Sequence, residues 1–322
     1  MDATELRPLA LGELLDRTFR LYRNHFWLFA GIMAIPSAVS IPFTVYIFSM
    51  QGSSLTGGPP GPKAAIGLVL FALIFLCFFW AVYSMAIGAA TYAVSEAYLG
   101  QTVTVRAAYG KVRGSFWRIL GVVAIGLLRA IGMSLLVATG TGIVVVILFA
   151  AIGALGRGGG QPGIIVGILL GLVIGLAYLI GIGFWLWWSL RYAVSIPALL
   201  LEKLGVLAAL RRSVHLTKGR RWQMLVALFL CWVIAYVGVI VFQGPFFITM
   251  MISVRSGHLP EWLAYAWAMS GAVGGAITGP ILLIALVLSY YDTRIRKEAF
   301  DLQFMMSSLD QPAPAPGAGS PA

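Results

Sequence analysis

The feature that most constrains this chain is a set of long stretches without charged side chains. The first, at 26–50, has 25 residues and no Asp, Glu, Lys or Arg. A helix of that length, rising ~1.5 Å per residue, crosses the ~30 Å hydrocarbon core of a bilayer. Hydrophobic residues make up 60% of the 322 residues and charged residues only 10%, which is outside the range of ordinary soluble domains. The sequence therefore predicts an all-α membrane protein.

Apolar stretches of this kind recur along the chain and predict six spans. Their approximate ranges are 26–50, 64–95, 118–152, 163–190, 222–251 and 262–290. They form a membrane domain at 26–306, which follows a cytoplasmic amphipathic helix at 1–25. The last segment, 307–322, is predicted to be disordered, because its residues 311–322, QPAPAPGAGSPA, have no large apolar side chains to bury.

Each odd-numbered span follows a short amphipathic segment. In the opening segment, 9–27, apolar residues recur at helical spacing on one face, and charged residues such as Asp16 and Arg20 share the other. Similar segments at 102–116 and 205–219 predict interfacial helices. Each of the three ends at an aromatic anchor, namely Trp27, Trp117 or Trp222. The fold is thus predicted as three repeats of one interfacial helix plus two spans.

A second internal match supports this duplication. The sequence YAVS occurs at 92–95 and again at 192–195, in each case near the end of an even-numbered span. The separation of the tryptophans is irregular, 90 residues between the first two and 105 between the last two. The three copies have therefore diverged.

The distribution of positive charge predicts the orientation. The segments before spans one, three and five, together with the C-terminal tail, hold 18 of the 22 Lys and Arg residues. The opposite loops hold only Lys63, Arg157 and Arg255. Because Lys and Arg are retained on the cytoplasmic side, we expect both termini to be cytoplasmic and the protein to lie in the inner or plasma membrane. This retention also explains the net charge of +11 without nucleic-acid binding, for which no base-reading motif is present.

Candidate binding residues follow from the same positive charge. Arginines on the amphipathic segments predict a cytoplasmic surface that attracts anionic lipid headgroups, with a protein partner or a second copy of the chain as further candidate partners. The candidate residues are Arg17, Arg20, Arg106, Arg113, Arg129, Arg211, Arg212, Arg220 and Arg221.

Arg129 differs from the others because it lies inside a predicted span. A helix starting at Trp117 would carry it ~18 Å into the bilayer, where a charge needs a partner. If it lies deep, its partner would be a lipid phosphate or a carboxylate at a span end, namely Glu96, Glu202 or Asp292. Alternatively, the membrane-embedded part of the span begins later and Arg129 reaches the cytoplasmic surface.

Glycines and prolines inside the spans allow two further interpretations. Glycines at four-residue spacing in span four (163, 167, 171, 175) and span six (271, 275, 279) predict close packing of these spans within the chain, or alternatively a dimer seam. Pro36, Pro42, Pro245 and Pro280 predict kinks or breaks, which in transporters often frame substrate sites. No Asp or Glu lies inside a predicted span, unlike in carriers coupled to ions or protons.

The sequence offers no catalytic or metal-binding constellation. The histidines are His25, His215 and His258, and they form no metal-ligand pattern. No nucleophile, base and metal set is recognisable. We therefore expect no cofactor, no metal and no enzymatic activity.

Three stretches resemble a known family: LRPLALGELLDRTFRLYRNHFW at 6–27, RYAVSIPALLLEKLGVLAALRRSVHLTKGRRW at 191–222 and YYDTRIRKEAFDLQFM at 290–305. They are similar to the bacterial membrane-domain family named after the membrane portion of glycerophosphoryl diester phosphodiesterases. The resemblance spans about 6–306 and implies a membrane domain alone. In that family the phosphodiesterase is a separate soluble domain with a His pair and carboxylates around a metal, and nothing in this chain matches it.

These observations predict a non-catalytic membrane scaffold or accessory protein whose basic surface binds anionic lipid or a protein partner. The alternative is a transporter or channel for a small solute or a lipid.

Overall fold

The computed structural model of the chain describes residues 9–57, 61–98, 100–155, 163–255 and 260–298. Within these residues the chain is helical, and six helices are long and apolar enough to cross a membrane. The predicted all-α, six-span fold is therefore confirmed. The predicted disordered tail, 307–322, and residues 1–8 lie outside the described residues.

Ten α-helices are found in the described part of the chain. They are α1 Leu11–Asn24, α2 Phe26–Gly57, α3 Pro62–Tyr98, α4 Val105–Arg113, α5 Phe116–Leu155, α6 Gly163–Ser189, α7 Ser195–Leu201, α8 Val206–Thr217, α9 Arg221–Arg255 and α10 Glu261–Glu298. The long helices α2, α3, α5, α6, α9 and α10 correspond to the six spans. The 3₁₀ turn Leu190–Tyr192 connects α6 to α7.

Short helices precede α2, α5 and α9, as the repeat pattern predicts. The second and third are shorter than their predicted ranges because local signals end them. Thr104 caps the start of α4, where its hydroxyl accepts a hydrogen bond from the Ala107 N–H at 3.3 Å. After α8 the chain turns at Gly219 with φ +86°, a conformation that glycine adopts at little cost. The short helix α7 was not predicted from the sequence.

The buried core lies at one end of the bundle. Fully buried side chains include Phe29 and Ile32 near the start of α2, Val94 near the end of α3, and Ile284 and Leu288 in the second half of α10. The same end carries α1, α4, α7 and α8. We call it the basic end, defined by these short helices, the starts of α2, α5 and α9, and the ends of α3, α6 and α10.

Away from the basic end, α5 and α6 form a hairpin that is separate from the other long helices. Val137 of α5 lies against Gly181 of α6, where an added Cβ would meet Val137 Cγ1 at 2.6 Å. Trp185 Nε1 donates to the Ala130 carbonyl at 3.4 Å. Elsewhere on this hairpin, large apolar side chains such as Leu136 are exposed, as expected for a surface that faces lipid.

The glycine ridge of α10 packs within the chain. An added Cβ at Gly271 would meet Gln243 Nε2 of α9 at 2.6 Å, and one at Gly275 would meet Ser37 Oγ of α2 at 3.4 Å. By contrast, a Cβ at Gly171 or Gly175 of α6 would meet no atom within 4 Å. The close packing predicted for the glycines of span six is therefore correct, since those of α10 pack against α2 and α9. The same prediction is wrong for the described glycines of span four at Gly171 and Gly175, because α6 pairs with α5 through other residues.

The four intramembrane prolines lie inside continuous helices: Pro36 and Pro42 in α2, Pro245 in α9 and Pro280 in α10. A proline leaves the carbonyl four residues earlier without its helical donor. For Pro36 that carbonyl belongs to Ile32, and the Tyr109 hydroxyl of α4 donates to it at 2.9 Å. In α10, the Tyr22 hydroxyl of α1 donates to the Ile277 carbonyl at 2.6 Å, which is not the carbonyl that Pro280 frees. The helix α4 thus supplies a donor to the carbonyl that Pro36 frees. Burial raises the pKa of Tyr109 to about 12.

Candidate functional site

Three exposed tryptophans mark the rim of the basic end. Trp27, Trp117 and Trp222 occupy the first turns of α2, α5 and α9, and their exposed fractions are 83%, 78% and 71%. A soluble protein would rarely leave three such rings in water. At a membrane surface the indole ring has an apolar body and a polar N–H, and it is favoured at the headgroup level.

One group of charges at this end is neutralised within the chain. Arg212 of α8 donates from Nε to Glu202 Oε2 at 2.8 Å and from Nη2 to Glu298 Oε2 at 2.7 Å. Arg294 lies 3.7 Å from Glu202 and 3.4 Å from Glu298, and the Tyr290 hydroxyl donates to Glu202 at 2.8 Å. The hydrogen bonds that Arg212 donates to Glu298 and Glu202 outweigh the effect of burial and raise the pKa of Arg212 above its ordinary value. Arg212 therefore joins α8 to α10, and two carboxylates already occupy its guanidinium.

A second ionic group holds the start of the described chain against α9 and α10. Asp292 accepts from the Leu9 N–H at 2.8 Å and from Arg296 Nε at 3.0 Å, and Arg296 Nη2 donates to the Leu9 carbonyl at 2.7 Å. Arg220 lies 3.7 Å from Asp292. Burial and the neighbouring Arg296 lower the pKa of Arg220. A cavity of about 470 Å³ adjoins this group, between the start of α1, α9 and the end of α10.

The remaining predicted arginines on the short helices are closer to solvent. Arg17 donates to the Tyr98 hydroxyl at 2.9 Å, and Arg20 pairs with Asp16 at 2.6 Å on the exposed face of α1. Three others have exposed side chains and no ion pair or hydrogen bond to the described residues: Arg106, Arg113 and Arg211. These three are therefore available to a ligand at the surface.

Arg129 lies against an aromatic ring near the basic end. Its guanidinium carbon is 4.5 Å from the centroid of the Tyr192 ring, within the range of a cation–π contact. Tyr192 in turn packs in the cluster that α7 and α8 form with the start of α5. Of the two alternatives for Arg129, this geometry agrees with a side chain that extends toward the basic end. No described carboxylate pairs with it, and the suggested partners Glu202 and Asp292 bind other arginines.

Two more arginines stack on neighbouring tryptophans. The guanidinium carbon of Arg191 is 4.3 Å from the centroid of the Trp188 ring, and that of Arg221 is 4.8 Å from the centroid of the Trp187 ring. The Nε atoms of both arginines are buried and have no hydrogen-bond partner in the described part of the chain. We call this set the arginine–aromatic cluster, defined by the following residues: Arg129, Arg191, Arg221, Trp187, Trp188 and Tyr192.

The comparison with known families points to the same half of the molecule. Residues 162–298 match the family model of the membrane domain of glycerophosphoryl diester phosphodiesterase. The resemblance found in the sequence is confirmed over this range, which excludes the first of the three similar stretches. No curated protein and no solved structure matches the chain. The chain is thus a multi-pass membrane protein with a region similar to that membrane domain.

The matched region contains much of the arginine–aromatic cluster and the charged side chains of both ionic groups, whereas Leu9 and the exposed arginines of α1 and α4 lie outside it. The family is described as a membrane domain, and that description assigns no reaction to the domain. Among the described residues, no three His, Cys, Asp or Glu side chains lie close enough to hold a metal ion. What the arrangement can do chemically is bind anions, through guanidinium groups that lack carboxylate partners.

Sequence reasoning missed Arg191 as a site residue, although it counted the residue among the basic ones. The signal was available in the run FWLWWSLRY at 184–192, where two adjacent tryptophans precede an arginine at the end of a span. The contact between Arg221 and Trp187, by contrast, joins the start of α9 to the end of α6. Only the packing of these two helices brings them together.

Proposed function

We propose that this protein is a non-catalytic membrane scaffold or accessory protein whose basic end binds anionic lipid headgroups. The observation that carries the proposal is the combination of three exposed tryptophans with arginines that have no carboxylate partner among the described residues. The tryptophans lie in the first turns of α2, α5 and α9, and these arginines lie on α4 and α8, the short helices directly before α5 and α9. A lipid surface supplies both kinds of partner, an apolar interface for the rings and phosphate groups for the guanidinium groups.

The separation of paired from unpaired charge supports a surface role. If all the arginines served to hold the helices together, each would be expected near a carboxylate, as Arg212 is. Arg106, Arg113 and Arg211 instead project from α4 and α8 without such partners in the described chain. Near an anionic membrane each Lys or Arg contributes ~1 kcal/mol of attraction, so these three together would give a measurable lipid preference.

The test compares lipid enrichment around variants in a defined bilayer. The triple variant R106Q/R113Q/R211Q is reconstituted in nanodiscs of phosphatidylglycerol and phosphatidylcholine, and the lipid composition of the purified discs is measured by mass spectrometry. Wild type should enrich phosphatidylglycerol and the triple variant should lose most of that enrichment. The control is R255Q, which removes an exposed arginine from the opposite end and should leave the enrichment unchanged.

An identical phosphatidylglycerol content around wild type and the triple variant would contradict lipid binding by these residues. Recovery of a stoichiometric protein partner from the native membrane, lost in the triple variant, would reassign the surface to protein binding. The orientation is part of the proposal, since the basic end must face the cytoplasmic leaflet. A reporter active only in the cytoplasm, fused to the C-terminus, should be active in cells of an expression host.

The alternative function, a transporter or channel, remains a prediction from the sequence. It rested on helix breaks at the intramembrane prolines, and α2, α9 and α10 continue through them. The continuity of these helices favours the accessory role over the transporter.

A further inference from the structure

Within the proposed lipid-binding surface, we infer that Arg191 and Arg221 form a discrete binding site for one phosphoryl group. This inference rests on the proposed function and narrows it, because it replaces a diffuse attraction with a site of defined residues. The ligand class is a phosphate monoester or diester, carried either by a membrane lipid or by a soluble molecule.

Arg191 and Arg221 lie on elements that contact each other. Arg191 is in the 3₁₀ turn after α6, Arg221 is the first residue of α9, and this turn packs against α9. Their guanidinium groups lie over two consecutive tryptophans, Trp188 and Trp187. Two adjacent positive charges destabilise a fold unless an anion lies between them. No described carboxylate interacts with either residue, whereas Glu202, Asp292 and Glu298 pair with other arginines.

The side chains of Arg191 and Arg221 are held in fixed orientations. Stacking on Trp188 and Trp187 fixes the planes of the two guanidinium groups. The Ser213 hydroxyl donates to the Arg191 carbonyl at 2.8 Å, which fixes the backbone of that arginine. A planar guanidinium held in this way binds phosphate through parallel N–H bonds at a small entropic cost.

Both arginines also carry hydrogen-bond donors that lack an acceptor in the described chain. The Nε atoms of both arginines are buried without a partner in the described chain, and a buried donor without a partner is costly. The first turn of α9 also begins at Arg221, and the first N–H groups of a helix have no intrahelical acceptor. An oxyanion at this position would interact with both the side chains and the positive end of the helix dipole.

The position favours a lipid as the carrier of the phosphate. The Trp187 ring is exposed, and neighbouring Phe184 stacks on it with centroids 6.4 Å apart. An apolar aromatic wall therefore lies directly beside the two guanidinium groups. Phospholipids present a phosphate next to acyl chains in the same arrangement.

The test titrates delipidated protein in detergent with single lipids and counts bound molecules by native mass spectrometry. Wild type should retain one phosphatidylglycerol molecule, and R191Q and R221Q should each weaken its binding by about tenfold, because each removes a charge-assisted hydrogen bond. The matched control is R255Q, which removes one exposed arginine at the opposite end of α9 and should leave this single binding event unchanged.

A measurement without lipid separates a binding role from a structural one. Because the buried Nε of Arg221 has no described partner in the empty site, R221Q should melt at the same temperature as wild type or higher. The addition of phosphatidylglycerol should then stabilise wild type more than R221Q. A lower melting temperature of lipid-free R221Q, with equal stabilisation of both proteins by the lipid, would overturn the site.

Inorganic phosphate identifies the source of the phosphoryl group. If phosphate displaces the lipid only weakly, the lipid is the ligand. If phosphate binds wild type and not R191Q, while no lipid is retained, the phosphoryl site stands and its ligand is soluble. Equal binding of both ligands to wild type and R191Q would refute the inference. Loss of lipid enrichment in R106Q/R113Q/R211Q with the single site intact would separate this inference from the broader proposal.

Discussion

Replacement of Arg212 by Gln should destabilise the basic end, because Arg212 connects two carboxylates on different elements. Its side chain is 25% exposed, and those of Glu202 and Glu298 are 16% and 21% exposed. Solvent therefore screens these ion pairs only in part. Removal of one partner of a fully buried ion pair costs ~3–5 kcal/mol, whereas an exposed pair contributes ~0–1 kcal/mol.

The expected loss lies between these limits. Arg294 remains 3.7 Å from Glu202 and 3.4 Å from Glu298, so neither carboxylate is left without a positive neighbour. We therefore expect a loss of about 2–3 kcal/mol. With ~2 °C per kcal/mol for a chain of this size, the melting temperature should fall by about 5 °C.

The assay is thermal unfolding in detergent, followed by tryptophan fluorescence. R211Q is the matched control, because Arg211 is adjacent in sequence and exposed without an ion pair to the described residues, so its change should stay within about 0.5 kcal/mol. R212K should fall between wild type and R212Q, since Lys keeps the charge but cannot make the forked contact. Equal melting temperatures for R211Q and R212Q would refute the reasoning.

Three further predictions concern contacts between helices. Y109F should destabilise the protein by about 1–2 kcal/mol because it leaves the Ile32 carbonyl without a donor. In a P36A background, where residue 36 regains its N–H, the loss of stability caused by Y109F should be smaller. An equal loss in both backgrounds, measured by denaturation, would argue against this role of Tyr109. The pKa of Tyr109 is raised from 10.0 to about 12, so the contribution of Tyr109 to stability is complete below pH 10 and is lost as pH rises to 12. Between pH 10 and 12, the melting temperature should therefore fall less for Y109F than for wild type. G238A should cost about 1–3 kcal/mol because an added Cβ would lie 2.6 Å from a threonine methyl of α10, whereas G126A, with no atom within 4 Å, should be neutral in the same scans.

Much of the architecture was predictable because its causes are local. Whether a stretch can cross a bilayer depends on its own length and charge, and whether a short helix is amphipathic depends on its own periodicity. The six long helices and the short helices α1, α4 and α8 were therefore found from the sequence. The missed helix α7 lacks such a signal, since it is short and packs against α3, α5, α8 and α10.

The candidate site was predictable only as a region. The accumulation of positive charge before the odd-numbered spans indicated which end of the bundle to consider, and the resemblance to the membrane-domain family agreed with it. The sequence could not separate structural arginines from available ones. Arg211 and Arg212 are neighbours in one basic segment, yet the first projects from the surface and the second binds Glu298 at the far end of α10.

By itself, the sequence determined the number of long helices, their order and the end of the bundle that carries the charge, because hydrophobicity and charge act on each segment separately. The tertiary structure alone decided which charges are neutralised, that α4 supplies a donor to the carbonyl freed by Pro36, and that Arg221 stacks on Trp187 beside Arg191 on Trp188. Electrostatic and hydrogen-bonding energies depend on distances of a few ångströms between residues far apart in the chain. Those distances exist only after the helices have packed.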